Sequence, residues 1–347
     1  NNSIRTNGSG TDKIGIDLGL NSPDAVISGN VIVTNGSTNN VGIRVNGTGN
    51  SLSGVTIVGN NISTFGSSTG NMGIRLSGPN ITGVSILNNV VNTSGTSSND
   101  GIYLWIVPHA AVVNNTVSTK GTSTNYGISV RAYSQNTTVS GNRVVTDGTS
   151  DNYGLYFEGT GSQIANHTIV NNSIFTFGSA TGNIGIQLSG PNLSGASVID
   201  NRVTASGTSS NYGIGLLNAS RAAILNNTIS TSGTLSNYGM SLGIGSVNAT
   251  VEGNIIATDG STTDNYGIFV GSTGSESTRD TFRNNTIFTS GTSGGVGIWF
   301  NTLVSDSVIV DNRINTTGSL ASNYGIRMSA SVNNAISGNV ISTQGSS

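Results

Sequence analysis

The sequence lacks cysteine, has few charged residues and contains no long apolar run. Without cysteine the chain can form neither a disulfide framework nor a thiolate metal site. Only 8% of the 347 residues are charged, and 13 Lys and Arg against 15 Asp and Glu give a net charge of -2. This balance excludes the basic surface that nucleic acid or an anionic membrane requires. No run approaches the roughly 20 apolar residues that cross a bilayer, so we expect no membrane span.

Glycine and asparagine are abundant instead, and they recur in a fixed frame. The chain contains 50 Gly and 47 Asn. The frame Asn-x-[Ile/Val]-x-Thr-x-Gly-[Ser/Thr] occurs 13 times, and only Ala205 replaces its Thr. A fixed period of this length is typical of repeat architectures. The frame begins at Asn2, Asn30, Asn60, Asn89, Asn115, Asn142, Asn172, Asn201, Asn227, Asn254, Asn285, Asn312 and Asn339.

A second anchor, Gly-[Ile/Leu/Met]-x-apolar, recurs 12 times from Gly15 to Gly325 with a mean spacing of about 28 residues. Around both anchors, apolar and polar residues alternate over short spans, which is the period of strands. Each repeat therefore predicts three short strands, separated by corners of Gly and Asn. We predict an all-β fold, a right-handed parallel β-helix (β-solenoid) of about 12 coils of about 28 residues.

A slower period lies over the coil repeat. From Gly15 the anchor spacings are 27, 31, 28 and 26 residues and then repeat, so the pattern recurs every 112 residues. We predict one β-helix domain over residues 1–347, with four-coil super-repeats at approximately 3–115, 116–227 and 228–339. Equivalent residues of successive coils should stack. This register predicts a ladder of inward Asn side chains and places Lys120 beside Asp147.

The Asn-x-[Ile/Val]-x-Thr-x-Gly frame resembles the right-handed parallel β-helix repeats of the pectate-lyase-like superfamily, most closely the Asn/Thr/Gly-rich versions in microbial cell-surface proteins. The resemblance implies an extracellular or cell-surface location and contact with carbohydrate. That superfamily includes polysaccharide lyases and hydrolases, adhesins and surface-layer components. No catalytic motif of the superfamily can be placed on this sequence residue by residue. We therefore expect a protein that is not an enzyme, with no catalytic residues, no metal site and no cofactor.

Carboxylates and histidines show no pattern that requires catalysis. Glycoside hydrolysis needs two carboxylates within about 5 to 10 Å of each other. Asp147 and Asp151 flank one turn, and we interpret them as solvated turn residues rather than as a metal or catalytic pair. His109 and His167 lie two coils apart with no carboxylate in the same register, so we expect both to be isolated and exposed.

Large aromatic residues fall into two sets. The first set precedes the Gly anchor with the parity of core residues, so we expect its rings to pack at a corner. The second set has outward parity, and three interpretations stay open for it: contact with a neighbouring subunit, stacking on sugars, or incidental exposure. The first set is Tyr126, Tyr153, Tyr212, Tyr238, Tyr266 and Tyr324; the second is Tyr103, Trp105, Tyr156, Phe269 and Trp299.

The sequence contains 17 Asn-x-Ser/Thr sequons. A composition this rich in Asn, Ser and Thr gives about 13 by chance, so their number alone does not identify a glycoprotein. Exposure favours sites in loops over strand-adjacent sites such as Asn114 and Asn226. The candidate glycosylation sites are Asn46, Asn80, Asn192 and Asn248.

Two classes of function follow from these features. The first is a structural extracellular or cell-surface protein, a segment or subunit of a fibre, sheath or surface layer. The chain opens with Asn rather than Met and both of its ends lie in mid-pattern, so we expect end-to-end stacking with copies of itself or with further coils of a longer chain. The alternative is a carbohydrate-binding or carbohydrate-active β-helix, an adhesin or a lyase-like or hydrolase-like protein, whose partners are surface glycans. Ice binding ranks last because the ladder Thr should point inward.

Overall fold

The computed structural model describes residues 1–19, 21–47, 52–159, 164–271, 276–292, 294–319 and 322–345, without the side chains of Ile164 and Asn192. The fold is an all-β parallel β-solenoid of about 12 turns that are about 28 residues apart, as the sequence predicted. The chain divides into two compact units, Asn1–Phe175 (unit 1) and Thr176–Ser347 (unit 2). In the described residues no helix is long and apolar enough to cross a membrane. The prediction of a single domain stays a prediction.

Each coil of unit 1 has a first strand after the ladder Asn, a second strand at the Gly anchor and a short third strand. In two coils the first and second strands are continuous, over Thr116–Arg131 and Arg143–Glu158. The other first strands are Ser3–Asn7, Val31–Gly36, Asn61–Gly66 and Val90–Ser94, and the other second strands are Ile14–Leu18, Val41–Asn46, Met72–Ser77 and Ser97–Trp105. The third strands are Val26–Ser28, Thr56–Val58, Ser85–Leu87, Ala111–Val113, Thr138–Ser140 and Thr168–Val170, and short pieces lie at Leu52–Ser53, Ile81–Thr82 and Ile164–Ala165.

Unit 2 repeats this plan. The strand Ser173–Gly178 contains the division between the units, and continuous first and second strands occupy Arg202–Ser220 and Thr228–Leu242. The other first strands are Ile255–Gly260, Thr286–Gly291, Arg313–Gly318 and Val340–Gly345, and the other second strands are Asn183–Ser194, Asn265–Val270, Val296–Phe300 and Tyr324–Met328. The third strands are Ser197–Ile199, Ala223–Leu225, Thr250–Glu252, Thr281–Arg283, Val308–Val310 and Ala335–Ser337, with short pieces at Ser277–Thr278 and Val304–Ser305.

Equivalent residues of successive coils pair in parallel register. Val117 pairs with Val144, and Lys120 pairs with Asp147. The Lys120 Nζ lies 3.7 Å from Oδ2 of Asp147, which confirms the register that the sequence predicted. This pair is on the surface, so its contribution to stability is at most about 1 kcal/mol.

The predicted Asn ladder lines the corner between the third and first strands. Nδ2 of Asn60 donates to Oδ1 of Asn89 at 3.0 Å and to the carbonyl oxygen of Ile27 at 2.9 Å. The same links join Asn89 to Asn115 and Asn115 to Asn142. Each buried amide therefore satisfies backbone groups at a corner where no strand partner is available.

A second Asn ladder, which the sequence interpretation missed, lines the corner between the first and second strands. Nδ2 of Asn71 donates to Oδ1 of Asn99 at 3.1 Å, and in unit 2 Asn211 donates to Asn237 at 2.8 Å. The signal was present, because these residues precede the Gly anchor by two positions.

Aliphatic side chains and the ladder Thr fill the interior. Ile32, Ile62 and Val91 are fully buried, as are Thr34 and Thr64. Because successive side chains of a strand point to opposite faces, the polar residues between these positions lie on the outside. This is the alternation that the sequence showed. The predicted inward direction of the ladder Thr is confirmed.

Two titratable groups occupy an inner position just before the third strand. His167 is buried with its ring centroid 4.8 Å from that of Phe157, and burial lowers its pKa to about 4. The prediction that His167 is exposed is therefore wrong, because this position points inward, as Ala196 does in unit 2. His109 is exposed, as expected. Asp280 is the second group and is also buried.

Candidate functional site

Five of the six tyrosines before the Gly anchor are half-buried or exposed. The sixth, Tyr266, is only 5% exposed, and its ring packs against those of Tyr238 and Trp299. Along Asn125 to Ile128, the Asn, the Gly and the Ile are buried, and only Tyr126 is half-buried. The second ladder and the close-packed Gly thus interrupt the strict alternation from which an inward ring was predicted. The rings of Tyr126 and Tyr153 stack with centroids 5.1 Å apart and an interplanar angle of 19°.

Three residues of the outward-parity set lie on neighbouring strands near these tyrosines in unit 1, and the ring of one of them, Tyr156, packs directly on theirs. Tyr103 and Tyr156 both pair with Ser129, from the coils on either side, while Trp105 pairs with Arg131. The centroid of Tyr156 is 5.1 Å from that of Tyr126 and 5.3 Å from that of Tyr153. Trp105 is 42% exposed, so its ring is available to a ligand. We call Tyr103, Trp105, Tyr126, Arg131 and Tyr156 the Arg131 cluster.

Arg131 is central to this cluster. Its Cζ atom lies 4.5 Å from the ring centroid of Tyr126, 5.1 Å from that of Tyr156 and 5.6 Å from that of Tyr103. Cation–π contacts of this kind are worth about 0.5 to 2 kcal/mol each, depending on solvent exposure. The guanidinium Nη1 is 3.6 Å from Oε2 of Glu158. The buried Nε has no hydrogen-bond partner among the described residues.

A carboxyl group lies beneath the cluster. Asp100 is 3% exposed, and Oγ of Ser129 donates to its Oδ1 at 2.5 Å. Burial raises the pKa of Asp100 to about 6, although the charges of Arg131 and Arg75 and the Ser129 hydroxyl act in the opposite direction. Burial also raises the pKa of Tyr156 to about 12, with a further contribution from the charge of Glu158. Asp100 is therefore fixed by its hydrogen bond from Ser129 and is not open to a ligand.

The remaining two outward rings belong to a second cluster in unit 2. Tyr212, Tyr238 and Tyr266 stack one above another at 5.0 and 4.9 Å. The Phe269 centroid is 5.4 Å from that of Tyr238, and Trp299 contacts Tyr266 edge-on at 4.8 Å. Cζ of Arg327 lies 4.7 Å from the Trp299 ring. We call this set the Trp299 cluster.

Hydrogen bonding distinguishes the tyrosine at the centre of the Trp299 cluster. The hydroxyl of Tyr266 donates to Oδ1 of Asp264 at 2.7 Å. Burial raises the pKa of Tyr266 strongly, and the hydrogen bond to Asp264 raises it further because it stabilises the protonated phenol. This hydroxyl is therefore a fixed donor, not a base.

Comparison with solved structures finds the same architecture elsewhere. A chain of the Vag8–C1 inhibitor complex is 15% identical with a TM-score of 0.57, and the alignment covers 98% of this chain and 96% of that one. The chain is a parallel β-helix. The A-module of the Azotobacter vinelandii mannuronan C-5 epimerase AlgE6 is 13% identical, with a TM-score of 0.54 and coverage of 96% and 91%. The Dettilon tailspike protein is 16% identical with a TM-score of 0.52; 84% of the β-helix is covered, and it spans 56% of the tailspike chain.

At such low identities these likenesses establish the fold and nothing more specific. No protein-family model matches the sequence, and no curated protein matches it. The predicted resemblance to parallel β-helix proteins is confirmed at the level of architecture.

The candidate glycosylation sites lie at several places on the β-helix. Asn46 ends the strand Val41–Asn46 and is half-buried, whereas Asn80 and Asn248 are exposed. The side chain of Asn192 lies outside the described residues. Modification at all four stays a prediction. Asn114 and Asn226 are exposed as well, although the sequence interpretation disfavoured them as strand-adjacent. They are exposed because the first strand begins only two residues after each of them.

Sequence reasoning missed the charged members of the two clusters. Asp100 stands before Gly101, where other coils have Tyr, Ile, Val or Met, and this departure was the available signal. Arg131 and Arg327 carried no signal on their own, because an outward Arg on a strand is ordinary. Only the side-chain geometry shows that they lie over rings from other coils.

Proposed function

We propose that this β-helix is an extracellular or cell-surface protein that binds carbohydrate through the Arg131 cluster. The position of the Arg131 guanidinium among three tyrosine rings, next to the exposed Trp105, carries the proposal. Aromatic faces pack against the apolar faces of sugar rings, while their hydroxyls and a guanidinium donate hydrogen bonds to sugar oxygens. One structural neighbour is named for its action on a polysaccharide, mannuronan.

Burial of the carboxyl group supports binding rather than catalysis. A general acid or base must come within hydrogen-bond reach of the group that it protonates or deprotonates. Asp100 is buried, and Glu158 is paired with Arg131. We therefore infer that the cluster holds a sugar without cleaving it, and that the β-helix is not an enzyme.

A binding experiment tests the proposal. Soluble polysaccharides are titrated into the secreted chain by calorimetry, with wild type compared with Trp105→Ala. Loss of one stacked ring should weaken binding roughly tenfold. Phe65→Ala is the matched control, because Phe65 is equally exposed, at 42%, but lies on a first strand away from the cluster. Unchanged affinity in Trp105→Ala, or equal losses in both variants, would contradict the proposal.

A structural role is the second candidate. Two Asn ladders and an aliphatic interior within each unit support a stiff segment of a fibre, sheath or surface layer. The rings of the Trp299 cluster also pack largely on one another, as rings at a contact between subunits do. Sedimentation over a hundredfold concentration range, with electron microscopy of the most concentrated sample, tests this role. Filaments that are lost in Trp299→Ala support it, and a monomer throughout opposes it.

A further inference from the structure

A set of exposed asparagines occupies the corner just before the first strand. Asn114 and Asn171 lie there in unit 1, and Asn226 and Asn284 lie there in unit 2. Each directly precedes a buried ladder Asn, and each has a φ of 54° or 55°. Asn is one of the few residues that adopt this left-handed conformation readily, so the turn selects it.

Each of these asparagines begins an Asn-x-Ser/Thr sequon. The middle residue of the sequon is the ladder Asn, which points inward, and the third residue opens the first strand on its outer side. The third residues are Thr116, Ser173, Thr228 and Thr286, and all of them are exposed or half-buried. The strand geometry therefore places the asparagine and the hydroxyl on the outside together, with the buried Asn between them.

The acceptor nitrogens are free, in contrast to those of the ladder. Oδ1 of Asn114 occupies the space that a side chain at Gly141 would need, since a Cβ built on this glycine would lie 2.3 Å from the oxygen. Oδ1 of Asn226 is placed in the same way, 2.4 Å from a Cβ built on Gly253. The amide oxygen thus rests against the glycine of the next coil. No hydrogen bond occupies Nδ2 of any of the four corner asparagines in the described part of the chain.

We propose that Asn114, Asn171, Asn226 and Asn284 are N-glycosylation sites. Nδ2 forms a bond to the anomeric carbon of a sugar that is carried on a lipid pyrophosphate. The bond from that carbon to the pyrophosphate oxygen breaks, the pyrophosphate leaves with the electron pair, and the amide gives up one proton. The proposal rests on the extracellular location proposed above, since the transferase and its lipid-linked donor act on exported chains.

The spacing of the sites gives the modification a defined pattern. Asn114 and Asn171 are two coils apart, with Gly141 at the same corner between them, and Asn226 and Asn284 flank Gly253 in the same way. Two coils correspond to about 10 Å along each unit. Glycans would therefore stand on two coils of each unit at this corner and leave the second strands, which carry the ring clusters, open.

Glycopeptide mapping of the protein purified from its own source tests the proposal. Enzymatic release of N-glycans in heavy-oxygen water marks each occupied Asn by conversion to labelled Asp. We expect occupancy at the four corner sites. Asn88 is a built-in control, because it lies at the same corner with a φ of 55° and is exposed, but Val90 stands where the hydroxyl residue should be.

Two variants expressed in the same source make the test specific. Thr116→Ala should abolish occupancy of Asn114, and Val90→Thr should create occupancy at Asn88; both positions are exposed, so thermal unfolding should be unchanged. Unmodified corner sites, with or without glycans elsewhere, or an unmodified Asn88 in Val90→Thr, would overturn the proposal. Calorimetric binding of polysaccharide by the Arg131 cluster is measured separately, so failure of one proposal is distinguishable from failure of the other.

Discussion

At the scale of single residues, the least expected feature is a carboxyl group inside unit 2. Oδ1 of Asp280 accepts a hydrogen bond from the backbone nitrogen of Ala249 at 2.7 Å, and Oδ2 accepts one from Oγ of Ser277 at 2.9 Å. Burial raises the pKa of Asp280 to about 7, against the opposing effect of these two donors. The folded protein therefore keeps this carboxyl protonated under conditions in which the unfolded chain would ionise it.

This difference makes stability depend on pH in a defined direction. Because the folded pKa is raised, the stability associated with Asp280 is complete below the unfolded pKa of about 4 and is lost as pH rises toward about 7. The slope is at most about 1.4 kcal/mol per pH unit. We predict that the difference in unfolding free energy between wild type and Asp280→Asn falls over this range.

Denaturant unfolding of both proteins at several pH values measures the effect. The Asn variant keeps an acceptor for the Ala249 amide but cannot ionise. Asp100 and His167 also make stability depend on pH, but they are present in both proteins, so subtracting one unfolding free energy from the other removes their contributions. The lowered pKa of His167 has the opposite effect to Asp280, because it reduces stability as pH falls below about 6.5. If the unfolding free energies of the two proteins change with pH in parallel, Asp280 has the same pKa in the folded and unfolded chains, which contradicts the prediction.

At the scale of the element, the Gly anchor is required by packing rather than by a turn. A Cβ on Gly127 would lie 2.1 Å from Cγ1 of Val144 and 2.5 Å from the carbonyl oxygen of Gly154. The carbonyl cannot move without breaking the strand. We predict that Gly127→Ala lowers the unfolding free energy by about 2 to 4 kcal/mol. Gly19→Ala, where a Cβ meets nothing within 4 Å, should be nearly neutral in the same melts.

The sequence predicted this fold well because one period decides most of it. The frame from Asn2 to Asn339 gave the coil length, the strands, the first ladder and the pairing of Lys120 with Asp147, since each follows from stacking equivalent positions. The outward direction of Tyr126 could not be predicted in this way. The ring points outward because Tyr126 lies between a buried ladder Asn and a close-packed Gly, where the alternation of inward and outward side chains is interrupted. A pattern of period two assumes that the alternation is unbroken, so it cannot show this interruption.

The candidate site was predicted only in part for a related reason. Tyr103, Trp105 and Tyr156 were recognisable singly, as large rings at outward positions. Their meeting with Arg131 depends on side chains that lean across coils, and a register gives only backbone neighbours. The buried state of Asp100 could not be predicted either, because the same position is half-buried where Tyr126 and Tyr153 occupy it.

At the scale of the whole molecule, stability rests on burial and neutral hydrogen bonds. Ion pairs such as Lys120 with Asp147 and Arg283 with Glu252 lie on the surface and contribute little. We predict that raising NaCl from about 0.05 to 1 M changes the melting temperature by less than about 2 °C. Ammonium sulfate at equal ionic strength should raise it, because sulfate strengthens apolar burial. A large loss of stability in NaCl would indicate an electrostatic contribution that the surface pairs do not explain.

The register between coils also determines how the length of such a chain can change during evolution. Thr116–Arg131 pairs with Arg143–Glu158 at equivalent positions, and the coil before it pairs in the same way. Removal of residues 115–141 would bring Asn142 against Asn89, with every ladder and core position matched again. Unequal recombination between repeats in the gene can therefore add or delete a whole coil and leave the ladder and core positions in register, whereas an insertion of another length within a strand would require a local irregularity such as the one between Ser189 and Leu193.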